Sequence, residues 1–167
     1  MYKRMTVGVV VALLCMTMIV GCSQDESPPP SGKNLVVPID VNGIEALIKT
    51  QDCPVMLVAM ASWCAPCRAE LPILQKMYEK YKDEGLRIIG ISLDVGGPSA
   101  MQPLVDQMGL GFPVYWGGEK VTAKYSISAI PLTYVVKKGK IVEKILGQRS
   151  ENFIEGKIVS LLGKCKE

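Results

Sequence analysis

Two cysteines stand three positions apart in the run Ala61-Ser62-Trp63-Cys64-Ala65-Pro66-Cys67-Arg68-Ala69-Glu70-Leu71-Pro72. A pair so spaced can close into a disulfide and reopen. Cys64 follows an apolar run and precedes a helical pattern, so it falls at a helix start. Free backbone N–H groups and the positive end of the helix dipole favour a thiolate there. The thiol pKa is then expected below the free value of about 8.5. Cys64 would attack a substrate disulfide, and Cys67, one turn on, would resolve the mixed disulfide. Pro66 suits the first turn, where the N–H it lacks has no intrahelical use. Trp63 is expected to shield the pair and to offer apolar surface to a client. A zinc site would need more ligands, and the chain has no second such pair and no histidine. An inert staple is at odds with a helix start directly after a central strand.

The lack of histidine also removes Ser-His and Cys-His catalysis and histidine acid/base chemistry. The six cysteines (Cys15, Cys22, Cys53, Cys64, Cys67 and Cys165) are too few and too uneven for a disulfide scaffold in 167 residues. The formal net charge is +3, of which Lys3 and Arg4 supply two; the processed chain carries about +1, which gives no reason to expect nucleic acid as a partner.

The elements that must position the pair follow from periodicity. Residues 54–61 are apolar on both faces, as a covered central strand requires. The next helix is expected over 65–83, with Leu71, Leu74, Met77, Tyr78 and Tyr81 inward and a kink at Pro72. Before these come a short edge strand at 35–39 and a helix at 43–50. After them come a strand at 86–93, a helix at 98–109 weakened by Pro103, a strand at 113–116 and a short helix at 120–125. A hairpin at 132–137 and 140–146 turns on Lys138-Gly139, and Ser150 caps a last helix to about 162. The expected fold class is α/β: a central mixed β-sheet flanked by helices, in one domain.

The N-terminus reads as an address. Met1 to Arg4 is basic, Met5 to Val20 nearly all apolar, and Ile19-Val20-Gly21-Cys22 resembles a bacterial lipobox. Residues 1–21 would be a lipoprotein signal peptide, and Cys22 the lipidated N-terminus. Residues 22–34, with three consecutive prolines, would be a flexible tether. The alternative is an uncleaved membrane helix with Cys22 incidental. Either places residues 35–167 outside the cytoplasm beside a membrane.

The run Trp63 to Pro72 resembles the active site of TlpA/ResA-like membrane-anchored thiol-disulfide oxidoreductases, within the thioredoxin superfamily, and the likeness extends over about 35–162. It implies a thioredoxin-like fold with a helix-plus-strand insertion between Leu93 and Lys120. It implies that Pro131 is cis and faces Cys64, and that the Ile130 backbone pairs with substrate. It further implies protein thiol or disulfide clients, cytochrome c precursors among them, a membrane thiol transporter as electron donor, a monomer, and no cofactor beyond the Cys64–Cys67 disulfide. The acid that thioredoxins bury in the strand before the pair is replaced by Val58. Asp94, at the end of the next strand, is the expected substitute, with loop capping as its other reading. Glu70 matches a family position but reads as part of a solvated helix face. Cys53 and Cys165 fall at one end of such a fold, where a structural disulfide is geometrically possible. Peroxidases of related fold need threonine where Ala61 stands. A copper-binding or thiol-dependent chaperone using Cys64 and Cys67 as soft ligands is the non-enzymatic alternative.

Overall fold

The computed structural model describes residues 34–49 and 53–163. The chain divides into two units, Met1–Pro30 and Ser31–Glu167, and every described residue belongs to the second. The expected signal peptide, Cys22, residues 23–33 of the expected tether and Cys165 lie outside the described residues; Asn34, counted in the tether, is instead bound to the domain by its amide, which donates to the Leu110 and Phe112 carbonyls. Among those described, no helix is long and apolar enough to cross a membrane.

Among the described residues six strands form one sheet: β1 (Val37–Pro38), β2 (Val55–Met60), β3 (Arg87–Ser92), β4 (Val114–Trp116), β5 (Leu132–Lys137) and β6 (Lys140–Leu146). Their spatial order is β1-β4-β3-β2-β5-β6. The first four run parallel, and β5 and β6 are antiparallel to their neighbours. All six residues of β2 are buried, which explains why its sequence does not alternate. Among the described residues five helices cover the sheet: α1 (Val41–Lys49), α2 (Ala65–Tyr81), α3 (Pro98–Met108), α4 (Gly118–Lys124) and α5 (Glu151–Leu162).

The sheet separates two apolar layers. On one side Met56, Val58 and Met60 pack with Leu71, Leu74, Met101 and Ile158 of α2, α3 and α5. On the other, Leu57, Ala59 and Tyr134 pack with Ile44, Ile48 and Val121 of α1 and α4. Gly90 leaves room for the Met60 terminal methyl, which a Cβ there would displace. Helix α3 continues through Pro103 and stops at Gly109, whose left-handed φ of 58° lets its N–H bond back to Val105 and Asp106. Both Lys138 (φ 49°) and Gly139 (φ 73°) are left-handed, the conformation that a two-residue hairpin turn requires.

Candidate active site

Central strand β2 delivers the chain to a turn in which the Cys64 N–H donates to the Ala61 carbonyl at 3.1 Å. Cys64 then sits in extended conformation at the N-cap of α2. Its Sγ accepts the Cys67 N–H at 3.3 Å, one of the orphan donors of the helix start. In the reduced protein the same donor, with the helix dipole, stabilises negative charge on this sulfur. Cys64 and Cys67 form a disulfide with Cα atoms 5.3 Å apart. Both are buried, Cys64 at 5% and Cys67 at 2% exposure, so Cys64 is the more accessible residue of the pair. Pro66 lies in the first turn of α2, as expected. Trp63 is 67% exposed, so it is not a core residue; it presents apolar surface beside the pair.

The Ile130–Pro131 bond is cis. The register of β5 sets Leu132 opposite Ala59, so Pro131 lies at the same strand end as the cysteines. Its carbonyl accepts the Gly147 N–H at 2.8 Å, fixing the loop from the far side. Ile130 is partly buried and packs against both apolar layers. An open groove of about 910 Å³ adjoins this end, lined among others by Leu93, Val95, Trp116, Ile127 and Ser128. Val95 is 98% exposed, a second apolar side chain on the rim.

Asp94 is buried, at 2% exposure, and its carboxylate does not point its hydrogen bonds at the cysteines. It accepts the Ser62 N–H at 3.1 Å to both oxygens, the Ser62 hydroxyl at 2.6 Å and the Ser92 hydroxyl at 2.8 Å. Its carbonyl accepts the Trp116 indole N–H at 2.7 Å. Asp94 therefore anchors the turn leading into Trp63 and Cys64. Val58 is buried in the same layer as both cysteines, so the site of the usual thioredoxin acid is apolar here.

The carboxyl group buried on the cysteine helix is Glu70. The solvated face expected for it is incorrect: Glu70 is 3% exposed. The helix turns the stripe Cys67, Glu70, Leu71, Leu74 and Met77 inward, and Glu70 falls on it three residues after Cys67 and four before Leu74. That spacing was the available signal, masked by the charge of the residue. Its Oε1 accepts the Arg149 N–H at 2.8 Å. Burial pushes its pKa above the ordinary carboxylate value, opposed by the Arg149 N–H and the Arg149 charge. A void of about 10 Å³ adjoins Glu70, Leu74, Thr133 and Arg149, close to the space one water needs.

Cys53, half-buried just before β2, forms no disulfide with another described residue. Its suggested partner Cys165 lies outside the described residues.

Residues 40–145 match the family model described as the AhpC/TSA family. The thiol-disulfide oxidoreductase ResA of Bacillus thuringiensis (strain Al Hakam) is 36% identical over 104 residues, 61% of this chain and 60% of that protein. The match thus spans less than two thirds of that relative. A ResA of Bacillus cereus is 32% identical over 158 residues, covering 89% of this chain and 90% of that one. Among solved structures, a thiol:disulfide interchange protein of the thioredoxin family from Chlorobium tepidum TLS superposes with a TM-score of 0.63 at 20% identity, over 80% of this chain and 99% of that one. At that identity the likeness speaks for the fold alone, and the fold is thioredoxin-like. The chain belongs to the AhpC/TSA family, in the ResA-like thiol-disulfide oxidoreductase branch of the thioredoxin superfamily.

Proposed function

We propose that this chain is a lipid-anchored, extracytoplasmic thiol-disulfide oxidoreductase that reduces protein disulfides. The observation that carries the reading is the Cys64–Cys67 disulfide at the start of α2, with the Cys67 N–H donated to the Cys64 sulfur. In the reduced form the Cys64 thiolate attacks one sulfur of a client disulfide, and the other client sulfur leaves as a thiolate. Cys67 then attacks Cys64. The Cys64–Cys67 disulfide closes, the second client thiolate is released, and two electrons have passed to the client. Glu70, one turn from Cys67 and with a raised pKa, is the group suited to exchange a proton with the resolving thiol. A membrane dithiol donor would reduce the pair again. Trp63, Val95 and the adjoining groove fit an extended apolar client segment rather than a small disulfide.

The lipobox-like Ile19-Val20-Gly21-Cys22 and the proline-rich segment after it support anchoring through Cys22. Cytochrome c precursors are the clients that the family resemblance offers. Peroxide reduction is the weaker reading, since Ala61 is fully buried where the peroxidases place threonine.

Insulin reduction tests the activity. The wild type is expected to be active and Cys64→Ser inactive; stoichiometric copper retention without reductase activity would favour the chaperone instead. Mass spectrometry of the mature chain tests the address, with a lipid-modified Cys22 expected at the N-terminus. An unmodified Cys22 would remove the anchor.

A further inference from the structure

The end of the sheet opposite the cysteines is rich in lysine. Val136 in β5 stands opposite Val55, the first residue of β2, so the turn after β5 lies at that far end. Lys137, Lys138 and Lys140 fall within four residues there. The C-terminus of α1 reaches the same turn, because a Cβ on Gly139 would stand 3.3 Å from Lys49 Cγ. Lys49, Lys138 and Lys140 are exposed and Lys137 is half-buried. None of the four is ion-paired to another described residue.

Between α1 and this turn opens a pocket of about 390 Å³ lined by Glu45, Ile48, Lys49, Tyr125, Gly139, Lys140 and Ile141. Tyr125 is 8% exposed. Its hydroxyl is the one buried side-chain nitrogen or oxygen without a hydrogen-bond partner among the described residues. Leaving a buried donor unpaired is costly, and such groups call for an explanation. The Glu45 carboxylate, which also lines the pocket, adds to burial in raising this hydroxyl's pKa. Glu45 is the opposing charge in the pocket, and Lys124 Nζ stands 3.7 Å from it. Lys49 and Lys140, which line the pocket and form no ion pair with another described residue, are donors suited to an anionic oxygen.

Asn34, the first described residue, lies at this same end. Strand β1 runs parallel to β4, and the Asn34 amide donates to the Leu110 and Phe112 carbonyls in the approach to β4. We propose that the lysine-rich end docks on the anionic phospholipid headgroups of the anchoring membrane, with the pocket between α1 and the β5–β6 turn taking one headgroup phosphate on Lys49 and Lys140. This rests on the lipid-anchor reading above. Val142, at 59% exposure, and Ile141, at 37%, add apolar contact at the headgroup level. Docked in this way, the domain turns Cys64, Pro131 and the groove away from the bilayer, toward clients.

The test uses the full chain held by its anchor in vesicles of phosphatidylcholine, alone or mixed with phosphatidylglycerol. Lysines are acetylated with an amine-reactive ester and read one by one by mass spectrometry. Labelling of Lys49, Lys138 and Lys140 is expected to fall by about fivefold in the anionic vesicles and to recover in about 0.5 M salt. Lys120, at the cysteine end, should label equally in both. The double variant Lys138→Glu/Lys140→Glu should lose the protection of Lys49 while still reducing insulin. Equal labelling of Lys49 in both vesicles overturns the proposal, as does protection of Lys120 instead. Equal protection of Lys49 and Lys140 by inorganic phosphate in detergent, without vesicles, overturns the headgroup assignment in favour of a free anion. If Cys22 carries no lipid, the anchor reading fails by itself, and the same labelling with vesicles added to the unanchored chain still decides the docking: protection upholds it and equal labelling sinks it.

Discussion

One backbone N–H, that of Arg149, holds the buried carboxyl of Glu70 one turn beyond Cys67. Its pKa is raised by burial, so the folded protein keeps this proton to higher pH than the unfolded chain does. The stability so gained is full below the ordinary value of 4.5 and is lost as pH rises through the folded value. At neutral pH the ionised group is a cost. Glu70→Gln is therefore expected to raise stability at neutral pH by about 1 kcal/mol, with the gain vanishing in acid, as urea melts across pH would show. The same variant should slow disulfide reduction by about a hundredfold; unchanged turnover would deny Glu70 a proton-transfer role. Asp94 is expected to behave in the opposite way. Asp94→Ala strips acceptors from Ser62 and Ser92 inside the fold and should cost about 2 kcal/mol or more. Full stability combined with lost turnover would instead make it the proton-transfer acid. The cysteine pair was plain in the sequence, because few other uses suit that spacing in a chain without histidine. The functions of the two carboxyl groups were not, because their hydrogen-bond partners, Ser62 and Arg149, come from other elements.

Helices and strands were legible where one face is buried and the period is clean. The β5–β6 hairpin lies where the sequence places it, since Lys138-Gly139 permits the left-handed turn. Pro103 misled only mildly: it forfeits one N–H bond of α3, and Met101, Leu104 and Val105 keep the helix seated on the core. The edge strand proved short, two residues against the expected five, because it pairs only with three-residue β4. Helix α5 holds the loop that meets Glu70 and Pro131, and its start is fixed by Ser150, whose Oγ accepts the Phe153 N–H at 3.4 Å. Ser150→Ala should cost about 1 kcal/mol, and Ile158→Ala, fully buried beneath α5, about 2–5 kcal/mol, both measured by denaturant unfolding.

For the whole molecule, the α/β frame was legible in the sequence, while the two-ended character of the domain needed three dimensions. Lysines from α1 and the β5–β6 turn gather at one end, and Trp63, Val95 and Pro131 at the other, from segments far apart in sequence. Central to the mechanism is an ordered division of labour between Cys64 and Cys67. The direct measurement is to mix reduced Cys67→Ser and reduced Cys64→Ser chains separately with a disulfide-bonded client peptide and to map the products by mass spectrometry. A stable mixed disulfide at Cys64 in the Cys67→Ser chain, with none at Cys67 in the other, is the predicted result. A mixed disulfide formed at Cys67 in the Cys64→Ser chain, with Cys64 inert in its partner variant, would contradict it.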